Sequence, residues 1–352
     1  MSGATVGIIA NPAAGKDIRR LVSAASPVSD MAKIGIIRRA AIGAIEGGAT
    51  RLLLADDRHA LARRALQGIG LVVDVIDLPL FSNGRDSQRA AAEMERVGVA
   101  AVIVLGGDGT QRDVAKGWRH APIVALSTGT NNVFPQSHEA TVAGHAAGLV
   151  AARAVPLDAV AYQAKVIDVE IQRVEGGRER DLGVVDVALT NDSFVGSRAV
   201  WDVASLRQLV TVIAEPASVG LSAIAAAVAP TGRAEPGGVV MQFATKDDEV
   251  CCRARCVIAP GLYRDIAMAN HRRLDRGEPV EMVGPGALSF DGERDVVLAS
   301  GDRVTVRIAA DGPMVIDVIE AMALGVATRI ERRQRANGPG SGLGPEADDH
   351  GA

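Results

Sequence analysis

Val99-Ala100-Ala101-Val102-Ile103-Val104-Leu105-Gly106-Gly107-Asp108-Gly109-Thr110 runs from an apolar stretch into a glycine-rich turn, and Gln111 to Trp118 follows with the character of a helix. Val99 to Leu105 reads as a buried strand. Three glycines around one aspartate, at a strand-to-helix turn, let backbone N–H groups approach an anion that side chains would hold off. A helix starting at Thr110 adds the positive end of its dipole. Beside a phosphate, a negative Asp108 is useful only through a metal ion or a proton transfer. The same residues could form no more than a tight turn capped by Asp108 or Thr110. Their position at the end of so apolar a strand favours phosphate binding.

Outward from this turn, the first half alternates strand and helix. Strands are expected at Val6 to Ala10, Arg51 to Ala55, Leu71 to Ile76, Val99 to Leu105 and Pro122 to Leu126. Helices are expected at Lys33 to Glu46, Arg58 to Gln67, Asp86 to Arg96 and Glu139 to Ala152. The rhythm predicts an open parallel sheet flanked by helices. Ligands of such sheets lie beyond the carboxyl ends of the strands. Three polar segments, Asn11–Lys16, Gly106–Thr110 and Ser127–Asn132, fall there and could line one crevice.

The pattern changes near Val155. Lys165 to Arg173 alternates, Gly176-Gly177 turns the chain, and Leu182 to Thr190 returns as the second strand of a hairpin. Asp202 to Ile213 and Val219 to Val228 read as helices. Strands follow at Val239–Ala244, Glu249–Ile258, Arg264–Ala269, Val280–Met282, Ala287–Phe290, Asp295–Leu298 and Arg303–Ile308, predicting a mostly-β sandwich. Asp291-Gly292-Glu293 reads as a hairpin turn. Val315 to Leu324 is expected to fold back on the first domain. The tail from Glu331 is rich in Arg, Gly and Pro, then acidic, and is expected to be disordered.

Composition narrows the partners. The 352 residues are 48% hydrophobic but only 3% aromatic, so Val, Ile, Leu and Ala must build the cores, as suits layered α/β structure. A net charge of -4 with no Lys/Arg block argues against nucleic acid and anionic membrane. No apolar run reaches the roughly 20 residues of a membrane helix, and Met1 to Thr5 shows no signal-peptide pattern. A cytoplasmic location is expected. Alternation through Val250, Cys252, Ala254, Cys256 and Ile258 places two of the three cysteines on the apolar face of a strand. Core packing is favoured there, and metal binding by Cys251, Cys252 and Cys256 is the weaker alternative. The six histidines show no ligand spacing.

Asn11-Pro12-Ala13-Ala14-Gly15-Lys16 lacks the Walker A spacing, and no Gly-x-Gly-x-x-Gly follows the first strand. It reads either as an ordinary turn or as a loop in which Asn11 and backbone N–H groups hold phosphate or ribose; Lys16 adds charge or is simply solvated. Ser127-Thr128-Gly129-Thr130-Asn131-Asn132 offers hydroxyls and carboxamides suited to a nucleotide. Phe134 reads as core. Asn191-Asp192 ends the strand Leu182 to Thr190, where Asp192 could simply start a turn. Arg198, Trp201 and Asp202 could cap or pack the next helix.

With these residues in view, the chain resembles the ATP–NAD kinase superfamily, which also contains diacylglycerol and sphingosine kinases. Within it, the chain looks like the acetoin-catabolism X protein (AcoX-like) branch. Asn11-Pro12-x-x-Gly15, Gly106-Gly107-Asp108-Gly109-Thr110 and Thr128-Gly129-Thr130-Asn131-Asn132 carry the likeness in the expected order. Gly15 to Arg20, Leu126 to Pro135 and Phe194 to Ala199 point to the branch. The resemblance spans roughly Val6 to Asp317.

It implies an α/β nucleotide-binding domain over 1–153, a mostly-β substrate domain over 154–312, a segment 313–330 packed back on the first, and a tail 331–352. It implies ATP and Mg²⁺ near Gly106–Thr110, with Asp108 acting on the attacking hydroxyl. Asn11, Gly15, Lys16, Gly106, Gly107, Gly109, Thr110, Thr128, Gly129, Thr130, Asn131 and Asn132 would contact nucleotide. Asn191-Asp192 falls where NAD kinases carry Asn-Glu against the substrate adenosine, one methylene shorter in its acid. The Thr-Gly-Ser-Thr-Ala-Tyr-like segment of those enzymes is missing, Pro230-Thr231-Gly232 being only a fragment. The expected activity is phosphorylation of a hydroxyl, the NAD 2′-OH first, by a chain that forms a homo-oligomer. Another metabolite or lipid hydroxyl, or a nucleotide-binding regulator linked to acetoin catabolism, are the alternatives.

Overall fold

The computed structural model describes residues 3–14, 28–70, 72–128, 132–192, 203–246 and 249–336. Its first part interleaves β1 (Thr5–Ala10), α1 (Asp30–Glu46), β2 (Arg51–Ala55), α2 (Leu61–Ala65), β3 (Val72–Ile76), α3 (Gly84–Arg96), β4 (Ala101–Gly106), α4 (Asp108–Gly117), β5 (Pro122–Ser127) and α5 (Ala140–Ala151). β4 is apolar, partly β-branched and buried at every position, as a strand covered on both faces requires. The five strands pair in parallel in the order β3-β2-β1-β4-β5. Between β1 and β4 the direction of winding reverses, the place where open α/β sheets form a ligand crevice beyond the strands' carboxyl ends.

One side of the sheet is packed unusually tightly. A Cβ on Gly43 of α1 would stand 2.0 Å from the Thr141 carbonyl, and one on Gly144 of α5 would stand 1.9 Å from the Ala40 carbonyl. Backbone meets backbone there, which only glycine permits.

The rest comprises α6 (Leu157–Val160), β6 (Ala161–Gln163), β7 (Val166–Gln172), β8 (Arg178–Gly183), β9 (Asp186–Thr190), β10 (Leu206–Thr211), α7 (Leu221–Ala226), β11 (Gly238–Phe243), β12 (Cys252–Ala259), β13 (Leu262–Leu274), β14 (Val280–Val283), β15 (Gly286–Phe290), β16 (Glu293–Leu298), β17 (Arg303–Ala309), β18 (Met314–Ile316) and α8 (Val318–Ala336). A seven-stranded sheet, β12-β13-β11-β10-β9-β15-β16, faces a four-stranded sheet, β14-β17-β7-β8. Val169 and Val306 of the smaller sheet share one core with Val187 and Leu288 of the larger. Ile224 of α7 covers the outer face of the larger sheet. β18 then returns to the first sheet beside β5, with β6 outside it, and α8 packs on α5. That helix continues to Ala336, past Glu331, where the sequence predicts the tail to begin. No helix among the described residues is long and apolar enough to cross a membrane.

Two local expectations are overturned. Leu182 to Thr190 is not one strand: β8 and β9 belong to different sheets. At the break, the N–H groups of Val184, Val185 and Asp186 donate to Asp291 Oδ1. A buried side chain thus replaces the ladder and lets the chain change sheets. The helix expected over Asp202 to Ile213 is not formed: after one 3₁₀ turn at Val203–Ser205, Leu206–Thr211 is β10, between β9 and β11. Ladder partners on both sides, and the β-branched run Val210 to Ile213, outweigh its helical spacing.

Candidate active site

The crevice floor is built where β1, β4 and β5 end. The Asn11 N–H donates to the Leu105 carbonyl at 3.0 Å, tying the loop after β1 to β4. Asn11 Nδ2 then donates to Thr110 Oγ1 at 2.9 Å, and its Oδ1 accepts the Ala13 N–H at 2.8 Å. Lys33 of α1, itself buried, donates to the Pro12 carbonyl. On the β5 side, Asn132 Nδ2 donates to Ser127 Oγ at 2.9 Å.

The glycines fit between these side chains. A Cβ on Gly106 would stand 2.3 Å from Thr110 Oγ1, and one on Gly107 would stand 2.8 Å from Asn132 Oδ1. Among the described residues, nothing lies within 4 Å of the corresponding position on Gly109. The first two glycines make room for protein, and the third faces open space. Gly107 caps α4 without a side-chain bond, so the helix begins at Asp108 with its positive end at the crevice.

Asp108 is buried, at 8% exposure. Its Oδ1 accepts the N–H groups of Val133 at 3.0 Å and Phe134 at 2.8 Å, and Oδ2 is 3.1 Å from the same Val133 nitrogen. The carboxylate therefore locks the turn after β5 against the turn after β4. Phe134 is core, as expected.

The opposite wall comes from the sandwich. Arg233 Nη1 donates to the Phe134 carbonyl at 2.7 Å, and Nη2 donates to that of Val133. The two residues whose N–H groups hold Asp108 are thus gripped by their carbonyls. Arg233 is itself paired with Glu215 at 3.0 Å. Lys165 Nζ donates to the carbonyls of Gly232, Glu235 and Gly237 at 3.0, 2.7 and 3.0 Å, shaping the loop that carries Arg233. Burial lowers the Lys165 pKa to about 8, against the pull of Glu235 and Glu215.

One helical turn beyond Asp108, Arg112 crosses the seam. It donates to the Leu182 carbonyl at 2.7 Å and pairs with Asp181 at 2.8 Å and Asp295 at 3.1 Å. Its guanidinium lies 4.2 Å over the Phe290 ring. Burial works against its charge, but Asp181, Asp291 and Asp295 outweigh it and hold the pKa above the ordinary guanidinium value. Asp291, in the predicted hairpin turn between β15 and β16, is held well above the carboxylate range by burial and by Asp186.

Asn11, Gly106, Gly107, Asp108, Gly109, Thr110, Thr128 and Asn132 thus come together at one crevice. Asn191 and Asp192 stand at the other end of β9 from Asp186, about 16 Å along the strand at its usual rise. Asn191 is exposed there, with its N–H on the Ser205 carbonyl. Gly15, Lys16, Gly129, Thr130 and Asn131 lie outside the described residues, as do Phe194 to Ala199, Trp201 and Asp202. Arg112, Arg233, Lys33 and Lys165 are not singled out by sequence; each looks there like an ordinary solvated cation.

The floor suits a nucleotide's phosphates. Thr128 Oγ1 is buried with no hydrogen-bond partner among the described residues, and the open face of Gly109 lies by the helix N-terminus. Among the described residues no set of carboxylate or histidine ligands converges at the crevice. A Mg²⁺ ion there would take its ligands from phosphate oxygens and water.

This fold and crevice define a protein built on an ATP-NAD kinase type N-terminal domain, whose family model matches residues 6–154. Residues 165–311 match the acetoin catabolism protein X C-terminal domain. The chain is 36% identical over 330 residues to acetoin catabolism protein X of Cupriavidus necator, covering 90% of this chain and 91% of that protein. It belongs to the acetoin catabolism protein X family. Among solved structures it is similar to yeast NADH kinase complexed with NADH, at 10% identity and TM-score 0.47, over 97% of this chain and 89% of that one. It is also similar to a diacylglycerol kinase from Bacillus anthracis, at 12% identity and TM-score 0.39, over 90% and 97%.

Proposed function

We propose that this protein is an ATP-dependent phosphotransferase acting on an alcohol, with the NAD 2′-OH as the first acceptor to test. The observation that carries this reading is Asp108. It is a buried carboxylate fixed by two backbone N–H groups, at the start of a helix that points into the switch-point crevice. Phosphoryl transfer depends on alignment and on neutralising spread charge. Thr110, Asn11, Thr128 and Asn132, with Gly15, Lys16, Gly129, Thr130 and Asn131 of the same loops, would position nucleotide. The α4 N-terminus and the Gly106–Gly109 backbone would face its phosphates. Mg²⁺, when bound, would supply further neutralisation of the phosphate oxygens. Asp108 would orient the acceptor hydroxyl and take its proton.

The position of Asn191-Asp192 favours a second reading, in which the acceptor is a different small alcohol. Incubation with Mg²⁺, ATP and NAD, read by an NADP-specific coupled dehydrogenase, separates the two. NADP formation that tracks protein concentration supports the first reading. ATP consumed only with another acceptor supports the second. ATP bound without product across a broad panel of acceptors would leave a nucleotide-binding regulator.

A further inference from the structure

β12 is an edge strand of the seven-stranded sheet and pairs with β13 as far as Met268. Beyond Met268, β13 runs on beside β11. The chain entering β12 turns at this point, with the Cys251 N–H on the Met268 carbonyl at 2.8 Å. The turn gathers three side chains that favour soft or borderline metals. Ligand atoms of Cys251, Cys252 and His271 all lie within 4.8 Å of one another.

The two sulfurs are 3.5 Å apart and both cysteines are free. Thiolates bound at about 2.3 Å to a tetrahedral ion stand about 3.8 Å apart, so only a few tenths of an ångström separate this pair from a chelating one. A second observation is independent of the cysteines: His271 Nδ1 is buried with no hydrogen-bond partner among the described residues. Buried ring nitrogens are normally satisfied. Cys251 is exposed, which leaves an entry path and a fourth position for water. Cys256 is buried in the apolar cluster that Cys252 only borders, and takes no part.

We propose that Cys251, Cys252 and His271 form a binding site for zinc or a similar thiophilic ion. Two thiolates and an imidazole select such ions over Mg²⁺ and Ca²⁺. On binding, each thiol passes its proton to solvent as its sulfur takes the metal. The imidazole adds a nitrogen lone pair, and no oxidation state changes. The ion would staple the start of the edge strand to β13. β12 lies at the edge of the sheet, four strands from β9, about 19 Å at the usual spacing.

The test is titration of the chelator-stripped full chain with Cd²⁺, followed by thiolate charge-transfer absorption, and with Zn²⁺ against a chromophoric chelator. The expected result is one ion per chain. Affinity should fall at least about tenfold in Cys251→Ser and in His271→Asn, and stay at the parent value in Cys256→Ser. On the parent chain, Zn²⁺ should protect Cys251 from alkylation as read by mass spectrometry, which needs no variant to fold. Absence of stoichiometric binding, affinity unchanged in Cys251→Ser and His271→Asn, or undiminished alkylation with Zn²⁺ present would each overturn the site.

Discussion

The crevice floor and the wall that faces it are made in different ways. The floor is backbone and small polar side chains at the ends of β1, β4 and β5, where a Cβ on Gly106 or Gly107 has no room. The wall is long charged side chains reaching across the seam. Arg112 meets Asp295 over 183 positions of sequence, and Arg233 meets Phe134 over 99. The floor is specified by shape and the wall by charge pairing. The wall nevertheless acts on the floor, because Arg233 grips the carbonyls of the two residues whose N–H groups hold Asp108.

The largest break in this arrangement is expected from Arg112→Ala. It leaves Asp181 and Asp295 facing the seam without their shared guanidinium, with Lys116 still paired to Asp181. Removing one partner from a buried charge cluster costs about 3–5 kcal/mol, readable as a lower urea midpoint.

Lys165 sharpens the wall's dependence on charge. Its pKa is about 8 in the folded protein against an ordinary 10.5. The unfolded chain therefore binds this proton more tightly, and unfolding takes up a proton between those values. Stability should rise with pH across that window, by up to about 3 kcal/mol at its top. The difference in unfolding free energy between the parent and Lys165→Met, followed from pH 7 to 10.5, isolates the effect.

Arg233→Ala is the smallest of the three in stability, about 1–3 kcal/mol for lost charged hydrogen bonds. It should also weaken nucleotide binding in a titration, because the Val133–Phe134 turn loses its outer hold. Such weakening without much unfolding would tie wall to floor. Unchanged affinity would separate them.

The floor was legible because its signals are local. Gly106–Thr110 follows a strand whose burial is evident from Val102 to Leu105, and Asn11 and Asn132 fall just past two other strand ends. The wall was not legible, because its contacts join residues far apart in the chain. Arg112 two positions after Thr110 looks like any helix charge. Asp291 reads only as a hairpin turn, although its carboxyl also carries the chain from β8 to β9. β10 was hidden for a different reason: Leu206, Leu209 and Val210 recur at helical spacing, and only the neighbouring strands decide the matter.

The central claim is that Asp108 reacts as well as holds the turn, and Asp108→Asn tests it most directly. The amide keeps one oxygen to accept the Val133 and Phe134 N–H groups, so the fold should persist. Phosphoryl transfer, measured beside the parent with the same acceptor, should fall by about 10²–10⁴, as for loss of a positioned proton acceptor. A folded variant with turnover within a few-fold of the parent would contradict the account and leave Asp108 only the holding of the turn.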